Sequence, residues 1–223
     1  MHRDKLVELY PRLFHMASAG SWPAIRTHGL WTSDQIVATS EGSFDESTLS
    51  ERRPRSVTAN HPTLGSVTIR DQAPLRLQIL EGCLTDMSVR EWLSILNDRV
   101  FFWLHPAKLD RLLGARHYRA FEQDVLVIDT RSLLNAHAAS VRLSPINSGA
   151  TLYPKATPRG SETFTTIEDY PYAERRRRKT VSDAVTELAV INGVHDARDH
   201  VICVERWRGK DIIDTGASSL TCS

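Results

Sequence analysis

The apolar residues of this chain fall into short, compact runs, and these runs limit the folds that are open to it. Val100-Phe101-Phe102-Trp103-Leu104 and Val125-Leu126-Val127-Ile128 are rich in aromatic and β-branched side chains. Runs of this length and composition are typical of buried β-strands. No uninterrupted apolar run approaches the roughly 20 residues that a bilayer-spanning helix needs, so the sequence predicts no membrane-spanning segment.

Helical patterns lie mostly in the first half of the chain, and strand-like runs lie mostly in the second. Ser88-Val89-Arg90-Glu91 is a capping box, and Trp92, Ile95 and Leu96 follow it at helical spacing. Residues 141–144, 186–190 and 201–207 read as strands. Because strands and helices do not alternate regularly, the pattern favours an α+β fold over a doubly wound α/β fold.

The sequence predicts a single domain over residues 1–210 and a flexible C-terminal tail over residues 211–223. The 223 residues are enough to bury roughly 70% of the surface of the unfolded chain. Residues 39–66 are polar and interrupted by proline and glycine, which predicts a long loop or a partly disordered insertion.

Charge and cysteine content exclude few functions but set some expectations. Lys and Arg total 28 and Asp and Glu total 27, which argues against a protein that binds nucleic acid through bulk positive charge. Cys83, Cys203 and Cys222 are far apart and lack CxxC spacing, so neither a disulfide framework nor a cysteine zinc site is expected. The absence of an HExxH pair extends this expectation to no metal. Reduced thiols and the lack of a signal segment predict a cytoplasmic protein.

Three motifs stand in order along the chain. The first joins Leu13-Phe14-His15-Met16-Ala17 to Ile25-Arg26-Thr27-His28-Gly29-Leu30, and the second is Arg99-Val100-Phe101-Phe102-Trp103. The third runs from Thr186-Glu187-Leu188-Ala189-Val190 to His200-Val201-Ile202-Cys203-Val204. Together they resemble the ADP-ribosyltransferase superfamily, nearest to its DarT-type DNA ADP-ribosyltransferases and the tRNA 2′-phosphotransferases.

The chain departs from that superfamily at two positions. The tyrosine of the family's central strand is a phenylalanine here, at Phe101 or Phe102, and the threonine expected two residues after the histidine is Ala17. Both departures fall in the region that would hold the nicotinamide ring. The two departures affect a small part of the motifs, and the order of the motifs along the chain still matches that of the superfamily.

The resemblance implies a split, two-sheet ADP-ribosyltransferase-like fold that binds NAD, as a substrate, in a cleft between the sheets. Glu187 would stabilise the cationic ribose that forms when nicotinamide leaves. His15 would hydrogen-bond the adenosine ribose, Phe101 and Phe102 would stack against nicotinamide, and Gly29 would contribute to the binding site. Each residue also has a plain structural interpretation: a solvated glutamate, core side chains and a helix-ending glycine.

Arg70 is the candidate for the pyrophosphate and for assistance in catalysis, because arginine binds phosphate in a bidentate manner and DarT-type enzymes use an arginine from a comparable region. An ion pair with the neighbouring Asp71 is the alternative. Asn147-Ser148-Gly149 forms a turn whose N–H groups could bind an anion, although a plain turn at a strand end is the favoured interpretation.

The strongest local charge feature is the run Arg175-Arg176-Arg177-Arg178-Lys179. It lies just before Glu187, where the superfamily often places its substrate-recognition loop, and it is the candidate for binding DNA or RNA. A solvated, disordered run of charge is the alternative. A smaller cluster, Arg52, Arg53 and Arg55, carries the same two interpretations.

The leading hypothesis is an NAD-dependent ADP-ribosyltransferase with nucleic acid as the acceptor. An NAD hydrolase would use the same cleft with water as the acceptor. A 2′-phosphotransferase would need further arginines that the sequence does not place. A non-catalytic nucleic-acid-binding module would use the two arginine clusters alone and would be indifferent to NAD.

Overall fold

A seven-stranded antiparallel sheet forms the centre of the computed structural model, which describes residues 1–45 and 47–215. In chain order the strands are β1 (Arg12–Ser18), β2 (Val57–His61), β3 (Gly65–Ile69), β4 (Arg99–Trp103), β5 (Glu122–Asp129), β6 (Val141–Ser144), β7 (Glu187–Ile191), β8 (Val201–Arg208) and β9 (Asp211–Thr215). The order across the large sheet is β6-β7-β4-β1-β5-β8-β9, and β2 and β3 form a separate hairpin.

The helices are short, and most of them lie in the first half of the chain. They are α1 (Arg3–Leu9), α2 (Trp22–His28), α3 (Ser33–Ala38), α4 (Ser47–Ser50), α5 (Leu77–Glu81), α6 (Val89–Asn97), α7 (Pro106–Leu113), α8 (Thr130–His137), α9 (Tyr172–Arg176) and α10 (Val181–Ala184). The predicted α+β class and the concentration of helices in the N-terminal half are confirmed. Of the helices in the described residues, none has the length and apolar character required to cross a bilayer.

The large sheet is nearly divided between β1 and β4. These strands are in register at one position, Phe14 opposite Trp103, whereas β1 pairs with β5 over seven positions. In the gap, the Nδ1 atom of His15 lies 2.9 Å from the carbonyl oxygen of Phe101. The expected split into two sheets is not what the structure has: β1 and β4 belong to one seven-stranded sheet, in which their pairing is short.

The main core covers one face of the sheet. Leu13, Phe102, Leu126 and Leu188 point to this face and are at most 1% exposed. Helices α1 and α8 supply the opposing apolar side chains of the same cluster. Burial of each such side chain contributes about 1.5–3 kcal/mol to the free energy of folding. This cluster therefore holds the sheet together between β1 and β4, where few backbone hydrogen bonds are formed.

Residues 39–66 are more ordered than the sequence suggested. They contain α4 and, with residues up to Ile69, the hairpin β2–β3. Arg53 ties this insertion down, because its guanidinium donates to the Arg70 carbonyl at 3.0 Å, to Asn97 Oδ1 at 2.9 Å and to the Thr48 carbonyl. Arg52 likewise donates to backbone carbonyls. Arg53 is buried and its donors are used within the fold, which supports the structural interpretation for this residue. Nucleic-acid binding by Arg52 stays a prediction.

The C-terminal part of the sheet corrects two further expectations. The tail predicted from residue 211 begins too early, because β9 (Asp211–Thr215) pairs with β8; the remainder, 216–223, lies outside the described residues. Cys83 is a free, buried thiol, whereas Cys203 is disulfide-bonded. The expectation of reduced thiols does not hold at Cys203, and the argument from thiols to a cytoplasmic location loses that support.

Gly29 ends α2 where two backbone segments come into close contact. Its φ is 82°, and a Cβ atom at this position would lie 2.3 Å from the Cα of His195. Immediately afterwards, Leu30 and Val194 exchange two backbone hydrogen bonds of 2.8 Å each. The helix-ending interpretation of Gly29 is confirmed, and only a glycine allows this contact.

We predict that Gly29→Ala destabilises the protein more than Gly42→Ala does. Both glycines have a φ of 82°, but a Cβ at Gly42 would meet no atom within 4 Å. The control therefore measures the backbone strain alone, about 1–2 kcal/mol, and overpacking adds a further 1–3 kcal/mol or so at Gly29. Urea unfolding measures the difference. Equal losses of free energy of unfolding would contradict the contact with His195.

Candidate functional site

A cleft of about 580 Å³ opens where β1 and β4 separate. This volume lies in the range of small-molecule sites, about 300–1,000 Å³. Its walls come from β1, the turn after α2, the hairpin β2–β3, β4 and the turn at 147–149. All six residues that the sequence assigned to catalysis or NAD binding line this one cleft: His15, Gly29, Arg70, Phe101, Phe102 and Glu187.

Glu187 is the buried acid of the cleft. It is the first residue of β7 and is 4% exposed. Ser148 donates two hydrogen bonds to Oε2, from its backbone N–H at 3.0 Å and from its hydroxyl at 2.7 Å. Oε1 has no hydrogen-bond partner among the described residues, so it is the oxygen available to a ligand. Burial raises the pKa of Glu187 to about 7, against the lowering effects of Ser148 and Arg159.

Arg159 supports the turn that holds Glu187. It is 4% exposed, and Nη1 donates to the carbonyl oxygens of Ser148 and Ala150, each at 3.1 Å. Its positive charge also lowers the pKa of Glu187. The turn was a candidate for binding an anion, but the N–H of Ser148 is used on the carboxylate of Glu187.

His15 presents a hydrogen-bond acceptor to the cleft. The Phe101 carbonyl can only accept, so Nδ1 of His15 carries the proton that forms the 2.9 Å hydrogen bond. Burial, with a smaller effect from Arg70, lowers the pKa of His15 to about 4. The imidazole is therefore neutral near pH 7, and its Nε2 atom carries a lone pair. Such an atom accepts a hydrogen bond from a hydroxyl group.

Arg70 is a cation in the cleft wall that lacks a paired acid. No carboxylate of the described residues lies within 4.0 Å of its guanidinium, and Asp71 is engaged instead by His117 and Tyr118. Its Nη1 donates to the Met16 carbonyl at 3.3 Å, and the guanidinium lies 4.8 Å from the centre of the Tyr118 ring. Burial lowers its pKa. The ion pair with Asp71 is not formed, and Arg70 is free to bind an anion.

Phe101 and Phe102 differ in what they offer a ligand. Phe102 is 1% exposed and packs into the main core beside the His15 ring, at 5.6 Å between ring centres. Phe101 is half-buried, and it shares a face of the sheet with Trp103, which lies opposite Glu187 in the register. Of the two candidates, Phe101 has the accessible aromatic surface on the side of the carboxylate.

The run at 175–179, all of it in the described part of the chain, does not line the cleft. Arg175 uses its guanidinium to anchor α9, donating to the carbonyls of Ala184 at 2.9 Å and Pro145 at 3.2 Å. Arg175 therefore has a structural role, and its assignment to nucleic-acid binding stays a prediction. Residues 176–179 are exposed. Pro145 precedes the 147–149 turn, so Arg175 links α9 to the segment that leads into this turn.

The sequence profile of a family of unknown function, DUF7002, matches residues 11–201. The chain belongs to the DUF7002 family. Every residue that lines the cleft lies within the matched span, so the cleft is built entirely from the DUF7002 region. No curated protein is significantly similar to the chain.

Two residues in or beside the DUF7002 cleft were not singled out as site residues by the sequence. Tyr118 lines the cleft and covers Arg70, and Arg159 supports Ser148 from outside the lining. Trp103 was expected to share a face with Phe101 as a stacking residue, and it lines the cleft opposite Glu187. Arg159 and Tyr118 stand alone in polar segments, and their positions depend on tertiary contacts.

We predict that Glu187 makes the stability of the protein depend on pH. Its pKa is about 7 in the folded protein against a model value of 4.5, so the folded state binds this proton more tightly. The stabilisation is complete below about pH 4.5 and is lost as the pH rises through 7. It amounts to roughly 3 kcal/mol. Glu187→Gln should remove this dependence.

Urea unfolding of the wild type and of Glu187→Gln from pH 4 to pH 8 measures the effect. The free energy of unfolding of the wild type, relative to that of the variant, should fall across the range. Glu168→Gln is the matched control for loss of an exposed carboxylate. A wild-type-minus-variant difference that stays constant with pH would contradict the raised pKa of Glu187.

Proposed function

We propose that this chain is an NAD-dependent enzyme with an ADP-ribosyltransferase-like fold, which transfers ADP-ribose to nucleic acid. The observation that carries the proposal is the convergence of three groups on one cleft: the carboxylate of Glu187, the neutral imidazole of His15 and the unpaired guanidinium of Arg70. They come from distant parts of the sequence. Each has the chemistry that one part of NAD requires.

Glu187 suits the reacting ribose. When the bond between C1′ and the nicotinamide nitrogen breaks, its electron pair leaves with nicotinamide and positive charge develops on the ribose. Oε1 would accept a hydrogen bond from a ribose hydroxyl, and the carboxylate would stabilise the positive charge. Ser148 holds Oε2, so Oε1 keeps its orientation. The nucleophile of the acceptor then bonds to C1′ and loses its proton.

His15 and Arg70 suit the rest of the dinucleotide. The lone pair of His15 Nε2 would accept a hydrogen bond from the adenosine ribose. Arg70 would bind the pyrophosphate. No carboxylate of the described residues lies within 4.0 Å of its guanidinium, and Asp71 acts on it only from farther away, so this anion would supply a direct counter-charge. Phe101 and Trp103 line the same cleft and offer apolar surface for nicotinamide. The binding site thus divides into an anionic and a cationic end.

The exposed cations at 176–179 favour nucleic acid as the acceptor. Arg175 fixes them beside the 147–149 turn, whose Ser148 holds Glu187. A phosphate backbone bound there would run past the mouth of the cleft, since phosphate contacts position a nucleic acid. A base or a terminal phosphate would then reach C1′ of the bound ribose.

We predict that the protein releases nicotinamide from NAD and that Glu187→Gln lowers the rate by at least about 100-fold, the usual cost of losing a group that stabilises the transition state electrostatically. The variant keeps the size of the side chain and an acceptor for Ser148. For the wild type, kcat/KM should fall about tenfold per pH unit below the Glu187 pKa of about 7. Chromatography of nicotinamide provides the measurement.

Glu168→Gln should leave the rate unchanged, because Glu168 is exposed and lies outside the cleft lining. Intact mass of single-stranded DNA, RNA and a protein mixture, each incubated with NAD, identifies the acceptor. A nucleic acid heavier by one ADP-ribose supports the proposal. Free ADP-ribose alone would replace transfer by hydrolysis, and full activity of Glu187→Gln would remove the proposed mechanism.

A further inference from the structure

A second cluster of polar side chains lies outside the cleft lining. His137 is the last residue of α8, Asp196 precedes the 3₁₀ turn Ala197–Asp199, and His200 follows it. The Nε2 atom of His137 lies 2.6 Å from Asp196 Oδ1, and the Nε2 atom of His200 lies 3.2 Å from Asp196 Oδ2. One ligand atom from each residue lies within 4.8 Å of the others.

The Nε2 atom of His200 faces Asp196. Nδ1 of His200 and the hydroxyl oxygen of Ser132 share a hydrogen bond of 2.7 Å, and the same hydroxyl oxygen lies 3.4 Å from the Asp199 carbonyl oxygen. In the tautomer in which Nδ1 donates to Ser132, Nε2 is unprotonated and carries the lone pair that a metal ion would use. That atom is buried and has no hydrogen-bond partner among the described residues.

A lone pair 3.2 Å from a carboxylate oxygen is repulsive unless a positive charge lies between them. A proton on Nε2 would give an ion pair with Asp196 but no hydrogen bond, because the contact lacks hydrogen-bond geometry in this arrangement. His200 is 6% exposed, so water reaches this atom poorly. A cation shared by the three side chains would satisfy both the lone pair and the carboxylate.

We propose that His137, Asp196 and His200 bind one divalent transition-metal ion of the Zn²⁺ class. Two imidazoles and one carboxylate are ligands that Zn²⁺ prefers, whereas Ca²⁺ takes six to eight oxygen ligands. Ligand distances of about 2.0–2.2 Å in a tetrahedral site place the ligand atoms about 3.4 Å from one another. The Nε2 atom of His137 and the Oδ1 atom of Asp196, which are 2.6 Å apart, would therefore separate slightly to admit the ion. The side chains of His137 and Asp196 are 21% and 40% exposed, which leaves room for a water as the fourth ligand.

The ion would brace the wall of the cleft without taking part in its chemistry. It would tie the end of α8 to the segment 194–200, and Val194 of that segment pairs with Leu30 next to Gly29. Ser132 would act as the outer partner that fixes the orientation of His200. The proposal is independent of the NAD-dependent function, because none of the three ligands lines the cleft.

Calorimetric titration of the tag-free, chelator-treated protein with ZnCl₂ tests the site. We expect one equivalent bound with a micromolar or smaller Kd, and at least tenfold weaker binding by Asp196→Asn and by His137→Ala. Asp199→Asn is the matched control, since Asp199 is a neighbouring exposed acid paired with Arg198, and its affinity should match the wild type. Zinc should also raise the Tm of the wild type.

X-ray absorption at the zinc edge gives a readout that does not depend on the variants. Two imidazole nitrogens and low-atomic-number oxygens as the remaining ligands would support the site. Less than one equivalent bound at micromolar zinc would overturn the proposal. Unchanged affinity in both folded ligand variants would also overturn it, because the ion would then bind elsewhere.

Discussion

The rest of the structure depends on the separation of β1 from β4. Neighbouring strands of a sheet normally exchange hydrogen bonds along their length, yet these two are in register at one position. The freed backbone groups need other partners, and the His15 side chain supplies one by donating to the Phe101 carbonyl. That hydrogen bond also leaves Nε2 as an acceptor. The separation of β1 from β4 therefore both opens the cleft and orients the imidazole of His15 within it.

Burial acts in opposite senses on the two charged groups of the cleft. It raises the pKa of Glu187 and lowers the pKa of Arg70, so each charge is held at a cost in free energy. A ligand that is anionic beside the arginine and becomes cationic beside the glutamate would offset both costs. NAD has this distribution of charge during loss of nicotinamide. Ser148 holds the carboxylate of Glu187 in place, and Arg159 in turn holds Ser148.

The sequence was most informative where structure is local. The capping box at Ser88–Glu91 and the apolar runs of β4 and β5 predicted their elements because propensity and burial agree there. The hairpin β2–β3 was missed because its apolar residues alternate with polar ones, and because they pack against residues distant in sequence, such as Ile36 and Phe44. Strand β9 was missed because it lies at the edge of the sheet, where it pairs with β8, and its sequence carries no strong strand pattern.

The candidate site likewise contains residues that the sequence predicted and residues that it did not. The resemblance to a known superfamily placed His15, Arg70 and Glu187, and all three line one cleft. Composition and spacing alone did not separate them from core or surface residues. Arg159 and Ser148 act through contacts with each other and with Glu187 across 11 and 39 residues. His137 and Asp196 are 59 residues apart. No local sequence pattern predicts contacts between residues this far apart in the chain.

The central claim is that an acid from β7 and an imidazole from β1 bind the two riboses of one dinucleotide. A crystal structure of the protein with an NAD analogue that lacks a cleavable glycosidic bond tests it most directly. The account predicts Glu187 Oε1 at about 3 Å from a hydroxyl of the nicotinamide ribose and His15 Nε2 at a similar distance from the adenosine ribose. An analogue that binds outside this cleft, or in it with Glu187 out of reach of either ribose, would contradict the account.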